Sequence, residues 1–305
     1  MIVSLAGGTG SVKLLRGLSK LLKPEELKII GNVGDNFWFY GLYICPDLDT
    51  VMYGLSENLD LKRGWGIKDD TFKFMSQLSS LGYEDWFLIG DRDLATHVIR
   101  TYLLKKGNKL DKVTRILCDK YGVKQELLPC TNDPLETWIL TDIGEMHLQE
   151  FWVKRKAKDK VLGVKYKGSE KAEALKEALD YIFESKAIVI CPANPISSIS
   201  PILSLKSLRE SLKGRRVIAI SPIIGDKPVS GPAGKMMEGL NLKVSPFEVA
   251  KLYSDFLKIF IVDKKDKDYI PKIKDLGIEA LSEDIIMKNR EDEERLASFI
   301  LSLFR

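Results

Sequence analysis

Two pairs of carboxylates carry the clearest chemical potential in this 305-residue chain: Asp47 and Asp49 in "CPDLDT", and Asp91 and Asp93 in "IGDRD". In an extended stretch, residues two apart project to one side, and hard carboxylate oxygens suit Mg²⁺ shared with substrate phosphates. Helix capping is the competing expectation. Asp49 stands directly before "TVMYGLSE", where an N-cap carboxylate is favoured, and acidic groups also stabilise the first turn of a helix. His97 lies further along the second of these helices, where a core or surface imidazole is expected.

A phosphate partner is suggested by "SLAGGTGSVKLLRGL", residues 4–18, with Gly7, Gly8 and Gly10 around Thr9. Glycines between a strand and a helix let the backbone approach an anion, and the helix start offers it unpaired N–H groups. A dinucleotide fingerprint would use Gly8 and Gly10 but needs a third glycine where Lys13 stands. A P-loop fails in "VSGPAGKMM", because Val229 and Met236 occupy its glycine and Ser/Thr positions. The loop therefore reads as a nucleotide-phosphate loop of neither standard kind, with a ligand-free turn as the alternative. Lys13 and Arg16 face phosphate or only solvent. Trp65 in "RGWGI" is placed either to stack on a planar ring or in the core.

Composition bounds the partners. A net charge of +4, from 47 basic and 43 acidic residues, makes no case for nucleic acid. Four cysteines without a C-x-x-C and two histidines argue for reduced thiols rather than a Cys/His metal site. With Met1 running straight into a strand and no membrane-length apolar stretch, a cytoplasmic protein is expected.

The elements that must position these residues alternate. "MIVSLA", "LKIIGNV", "KAIVICP", "RRVIAISP" and "LKIFIVD" read as buried strands, separated by amphipathic helices such as "SVKLLRGLSKLL" and "LKSLRESLKG". "TWILTDIGEMHLQEFWV" reads as a hairpin turning at Gly144. The fold expected is α/β: a doubly wound, mostly parallel, Rossmann-like sheet with a helical insertion. Residues 1–49 and 123–305 form the nucleotide-binding core, and residues 50–122 the insertion. In such sheets the ligand crevice lies beyond the carboxyl ends of the strands. There stand "GDN", with Asp35 placed for a ribose, "CPDLDT", "CPANPISSISP" and "SPIIGDKPVSGPAGK".

Together, "GGTGSVKLLRGL", "PDLDTVMYGL", "RGWGIKDDTF", "GDRDLATHVIR", "HLQEFWV", "PANPISSISPIL" and "SPIIGDKPVSGPAGKMM" resemble the 2-phospho-L-lactate transferase family of coenzyme F420 biosynthesis, in family order across most of the chain. The resemblance implies an enzyme that takes a guanosine diphosphate carrying a lactyl or enolpyruvyl group. It transfers the phospho-organic acid to the ribityl 5′-hydroxyl of the deazaflavin Fo and releases GMP. It also implies nucleotide contacts from Gly7, Gly8, Thr9, Gly10, Lys13, Asn194, Ser197, Gly231 and Gly234, and deazaflavin contacts from Asp49, Leu88, Asp91 and Arg92. At Leu88 lysine is the residue the family leads one to expect. Mg²⁺ is expected on Asp47, Asp49 and Asp60, with Asp47 and Asp49 catalytic, and which of the three takes the hydroxyl proton is not readable from spacing. A homodimer is implied as well. Two other readings stay open: a regulatory protein of related fold that binds nucleotide sugars or dinucleotides, and an NAD(P)-dependent oxidoreductase.

Overall fold

The computed structural model describes residues 1–229 and 231–304. The chain opens with β1 (Ile2–Ala6), α1 (Gly8–Leu21) and β2 (Leu27–Gly31), then makes a hairpin of β3 (Phe37–Phe39) and β4 (Leu42–Ile44). Helices α2 (Pro46–Leu55), α3 (Lys73–Ser80), α4 (Asp91–Lys105) and α5 (Leu110–Tyr121) lead to β5 (Glu126–Pro129). An antiparallel unit follows, β6 (Glu136–Thr141), β7 (Gly144–His147) and β8 (Val161–Lys167). Then come α6 (Lys176–Glu184), β9 (Ala187–Ile190), α7 (Ser200–Ser204), α8 (Lys206–Leu212) and β10 (Val217–Ile220). The short pair β11 (Ile223–Ile224) and β12 (Lys227–Pro228) precedes α9 (Ala233–Gly239) and α10 (Pro246–Leu252). The chain ends with β13 (Ile259–Asp263), α11 (Ile270–Lys274), β14 (Glu279–Glu283) and α12 (Arg290–Ser302).

Seven strands form one parallel sheet in the order β14-β13-β10-β9-β1-β2-β5. β1, β9, β10 and β13 are buried along their whole length, as continuous β-branched and apolar runs must be when helices cover both faces. The winding reverses between β1 and β9, so the glycine loop after β1 and the "PANP" turn after β9 meet at the switch point, where ligands bind in sheets of this class. The expected doubly wound sheet is thus present, and it is entirely parallel. The hairpin at Gly144 is present too, extended by β8 to three strands.

α1 buries Leu14, Leu15 and Leu18 against the sheet. Arg16 faces neither phosphate nor solvent: it is buried against α12 and pairs with Glu293 at 3.1 Å. A second, smaller core of Phe37, Phe39, Ile44, Met75 and Ile89 lies under the β3–β4 hairpin and α3, bordered by Trp86 and Phe87. It gives the region between β2 and β5 a packing centre of its own. Among the described residues, no helix is long and apolar enough to cross a membrane.

Candidate functional site

A cavity of about 390 Å³ opens at the carboxyl ends of the strands. One wall is the glycine loop at Gly8 and Thr9, the floor is Asp35, Asp47 and Asp49, and the far wall is aromatic, from Trp65, Trp86, Phe87 and Trp152.

Asp47 and Asp49 do not project together. The helix begins at Pro46 with Cys45 as its cap, so both aspartates lie inside the first turn and Asp49 is not the N-cap. Two helical residues two apart point about 200° away from each other, so the shared-face expectation, which rested on an extended backbone, fails. Asp47 lies against Gly7 and Gly8. Asp49 turns the other way, where the buried guanidinium of Arg100 grips both its oxygens, Nη1 at 2.9 Å from Oδ2 and Nη2 on Oδ1. A carboxylate so occupied has little left for a metal.

Asp47 pairs instead with Asp35. The Nδ2 amide of Asn32 donates to Asp47 Oδ2 at 2.8 Å, to Asp35 Oδ1 at 3.0 Å and to the Ser197 carbonyl at 3.1 Å. Gln149 adds a longer bond to Asp35 Oδ2 at 3.3 Å. Burial pushes the Asp47 carboxyl up to about 6, against the hydrogen bonds from Asn32 and Ser198. Burial, with the charge of Asp47 behind it, also holds Asp35 well above the carboxylate range. Asp35 is thus held beside Asp47 through Asn32, with Gln149 as its other partner. Ionising both of these buried carboxyls beside a loop suited to phosphate would set them against each other and against the anion, a cost that a bound cation would offset. Mg²⁺ takes one or two carboxylates and completes its shell with phosphate oxygens and water. Asp35 and Asp47 fit that demand. Among the described residues, no group of three or more His, Cys, Asp or Glu side chains could hold a metal by protein ligands alone.

Asp60 stands apart from this cavity. Its Oδ1 accepts the N–H groups of Lys62 and Arg63 at 2.9 and 3.1 Å, and its Oδ2 pairs with the Arg63 guanidinium at 2.9 Å. These bonds hold the carboxyl below its ordinary range, the Arg63 N–H first among them. Asp60 thereby shapes the turn that presents Trp65, with Arg63 stacked over the indole at 5.2 Å. The same turn is tied to the glycine loop, where the Thr9 hydroxyl donates to the Gly64 carbonyl at 2.6 Å.

Of the other expected contacts, Leu88 lines the cavity, while Asp91 and Arg92 do not. Asp91 accepts the backbone N–H groups of Lys73 and Phe74 at the start of α3, and Arg92 donates to the Lys68 carbonyl. Lys13 extends to the Met287 carbonyl at 2.7 Å, away from the loop it follows. Asn194 caps the turn after β9, its Oδ1 accepting from Ile196 and Ser197, and so shapes the switch point from within. Gly231 and Gly234 flank the start of α9 and lie outside the cavity wall.

Sequence reasoning passed over Asn32, Gln149 and Tyr53, and expected of His97 only a core or surface imidazole. The last two, with Asp93, line the inner end of the cavity. One signal was available: Asp93, His97 and Arg100 form a polar stripe at helical spacing, opposite an apolar stripe of Val98, Ile99 and Tyr102. Periodicity alone assigns the apolar stripe to the core, which is the reverse of what is found.

A family model described as 2-phospho-L-lactate transferase CofD matches residues 2–298. The chain is 42% identical over 303 residues to the 2-phospho-L-lactate transferase of Methanosarcina acetivorans, covering 99% of both chains. It is 40% identical over 305 residues to that of Methanocaldococcus jannaschii, covering 99% of this chain and 97% of the relative. Among solved structures, a UPF0052-family protein from Bacillus halodurans shares the fold, with a TM-score of 0.66 at 17% identity and 98% of each chain covered. With the match running almost end to end, the chain belongs to the 2-phospho-L-lactate transferase CofD family, enzymes that transfer phosphate-containing groups.

Proposed function

We propose that this enzyme moves a phospho-organic acid, 2-phospholactate or enolpyruvyl phosphate, from its guanosine diphosphate-activated form to the 5′-hydroxyl of the deazaflavin Fo, in coenzyme F420 biosynthesis. The observation that carries the reading is the continuity of one cavity, from the glycine loop through Asp35, Asp47 and Asp49 to Trp65, Trp86 and Trp152. The glycine loop suits a diphosphate and the aromatic wall a planar ring, with the carboxylates lining the same cavity.

In the reaction the hydroxyl oxygen bonds to the phosphorus bearing the organic acid and gives up its proton to water, the bond from that phosphorus to the bridging oxygen breaks, and GMP leaves with the electron pair. Such a transfer needs in-line positioning and charge neutralisation more than a covalent intermediate. The backbone N–H groups at the start of α1 hold the diphosphate. Asp35 and Asp47 would hold Mg²⁺, which when bound neutralises charge on the diphosphate. Asp49, fixed by Arg100, orients the acceptor side rather than ligating metal. The aromatic wall takes the deazaflavin ring by stacking.

The deciding experiment is GMP release from lactyl- and enolpyruvyl-diphosphoguanosine, with and without Fo and Mg²⁺. Release that requires Fo supports the reading, and the faster donor identifies the acid. Failure of Fo to promote release from either donor, with GDP binding intact, would overturn it.

A further inference from the structure

The turn over residues 60–67, which sets Trp65 in the cavity wall, closes on its own backbone. Asp60 N–H donates to the Gly66 carbonyl at 3.0 Å, Gly64 N–H to the Asp60 carbonyl at 2.8 Å, and the Arg63 guanidinium to the Ile67 carbonyl at 2.9 Å. At its base Leu59 and Ile67 bridge each other and are buried in the main core, while Leu61 and Trp65 at its tip are exposed. Among the described residues, one hydrogen bond joins residues 60–67 to any part of the chain outside this loop: the Thr9 hydroxyl on the Gly64 carbonyl, at 2.6 Å. Gly64, at φ +80°, brings its backbone against the same side chain, since a β-carbon there would lie 3.2 Å from the Thr9 methyl. The tip of the turn therefore rests on the glycine loop through Thr9.

A threonine hydroxyl has one proton to give. With that proton spent on Gly64, Thr9 meets a phosphate through its backbone N–H, one of the groups in the first turn of α1 that have no partner within the helix. One residue thus faces both halves of the cavity, its backbone toward the diphosphate and its side chain toward the aromatic wall. A diphosphate on those N–H groups fixes the backbone of Thr9, and a β-branched side chain on a fixed backbone has few χ1 positions left. The hydroxyl is then already aimed at Gly64, so less entropy is lost in holding the tip of the turn.

We propose that Thr9 is a positioning residue that couples the two substrates: nucleotide on the glycine loop secures the Trp65 turn, so that GDP and Fo each bind more tightly in the presence of the other. By linkage the two effects are equal in size. The inference rests on the donor and acceptor reading above.

The test measures Fo binding to the full chain by fluorescence titration, with and without saturating GDP at constant Mg²⁺, and GDP binding by calorimetry with and without Fo. One exposed hydrogen bond corresponds to a coupling of about three- to tenfold in each affinity. Thr9→Val keeps the shape and the methyl contact and removes only the proton, and because Thr9 is exposed the change leaves the core alone. Its two affinities for Fo, with and without GDP, should agree within about 1.5-fold. Thr9→Ser keeps the proton and should remain coupled. Coupling as strong in Thr9→Val as in the parent, which direct contact between the two ligands would give, overturns the proposal. Loss of coupling in Thr9→Ser as well as in Thr9→Val assigns the effect to side-chain shape and overturns it too. An Fo affinity in the parent that GDP leaves unchanged or weakens overturns the coupling and leaves the acceptor reading standing. No binding of Fo, with GDP binding retained, overturns the acceptor reading and this inference with it.

Discussion

The backbone of Gly10, in the first turn of α1, lies against the carbonyl oxygen of Pro192 so closely that no β-carbon fits between them. This contact closes the switch point, because it locks the loop after β1 to the turn after β9. Gly10→Ala must push the two apart. Overpacking of this kind costs about 1–3 kcal/mol, and the displaced N–H groups should weaken GDP binding at least about tenfold. Urea denaturation and calorimetric titration measure both. Unchanged stability would show that the loops part freely.

The Asp35–Asp47 pair makes stability depend on pH in a defined direction. Asp47 titrates near 6 in the folded chain against an ordinary 3.8, so between those values the folded state holds more protons than the unfolded one. Stability therefore falls as pH rises through that window, and the full cost stands above about pH 6. Asp47→Asn should raise stability by about 1–3 kcal/mol at pH 8 and change little at pH 4. The same variant should abolish GMP release. In the parent protein, Mg²⁺ with GDP should recover much of the stability lost above pH 6. A denaturation midpoint at pH 8 that Asp47→Asn does not raise would count against a strained pair.

Asp49 and Arg100 make a different prediction. Had Asp49 been a helix cap, Asn would replace it at little cost, since Asn caps about as well. As the partner of a buried guanidinium it cannot be replaced so easily. Breaking a buried ion pair by removing one member costs about 3–5 kcal/mol, because the other charge is left uncompensated. Asp49→Asn and Arg100→Met should each destabilise by that order, and the double variant by clearly less than their sum. Additive losses would mean that the two groups do not depend on each other.

The parallel sheet was legible in the sequence because its central strands are short, mostly apolar runs rich in Val and Ile. β5 and β14 were not. "ELLP" is four residues ending in proline, and "EALSE" buries only Ala280, so neither carries the pattern of a sheet strand. The glycine loop, Asp47 and Asp49 were legible as site residues, but their directions were not, because placing Asp49 at a helix start instead of within the first turn rotates every side chain. Asn32, Gln149 and His97 come from three separate segments and meet the site only through tertiary packing, so no spacing along the chain relates them. The 37–44 hairpin was missed for a related reason: its aromatics pack in a local core with α3 that periodicity cannot reveal.

Asp60 separates the metal expectation from the geometry. As an Mg²⁺ ligand, its loss would weaken the metal dependence of turnover. As found, it accepts two backbone N–H groups and pairs with Arg63, and its work is to hold the turn that sets Trp65 in the cavity wall. Asp60→Ala should then leave the Mg²⁺ concentration needed for half-maximal GMP release unchanged and raise the KM for Fo about three- to tenfold, because an unordered stacking residue loses part of its contribution. Trp65→Ala should reproduce that KM, and the double variant should be no worse than either alone, since both changes remove one aromatic contact. A quench of tryptophan fluorescence on Fo binding that is smaller in Asp60→Ala would report the misplaced indole directly. A rise in the Mg²⁺ requirement with an unaltered KM for Fo would return Asp60 to the metal.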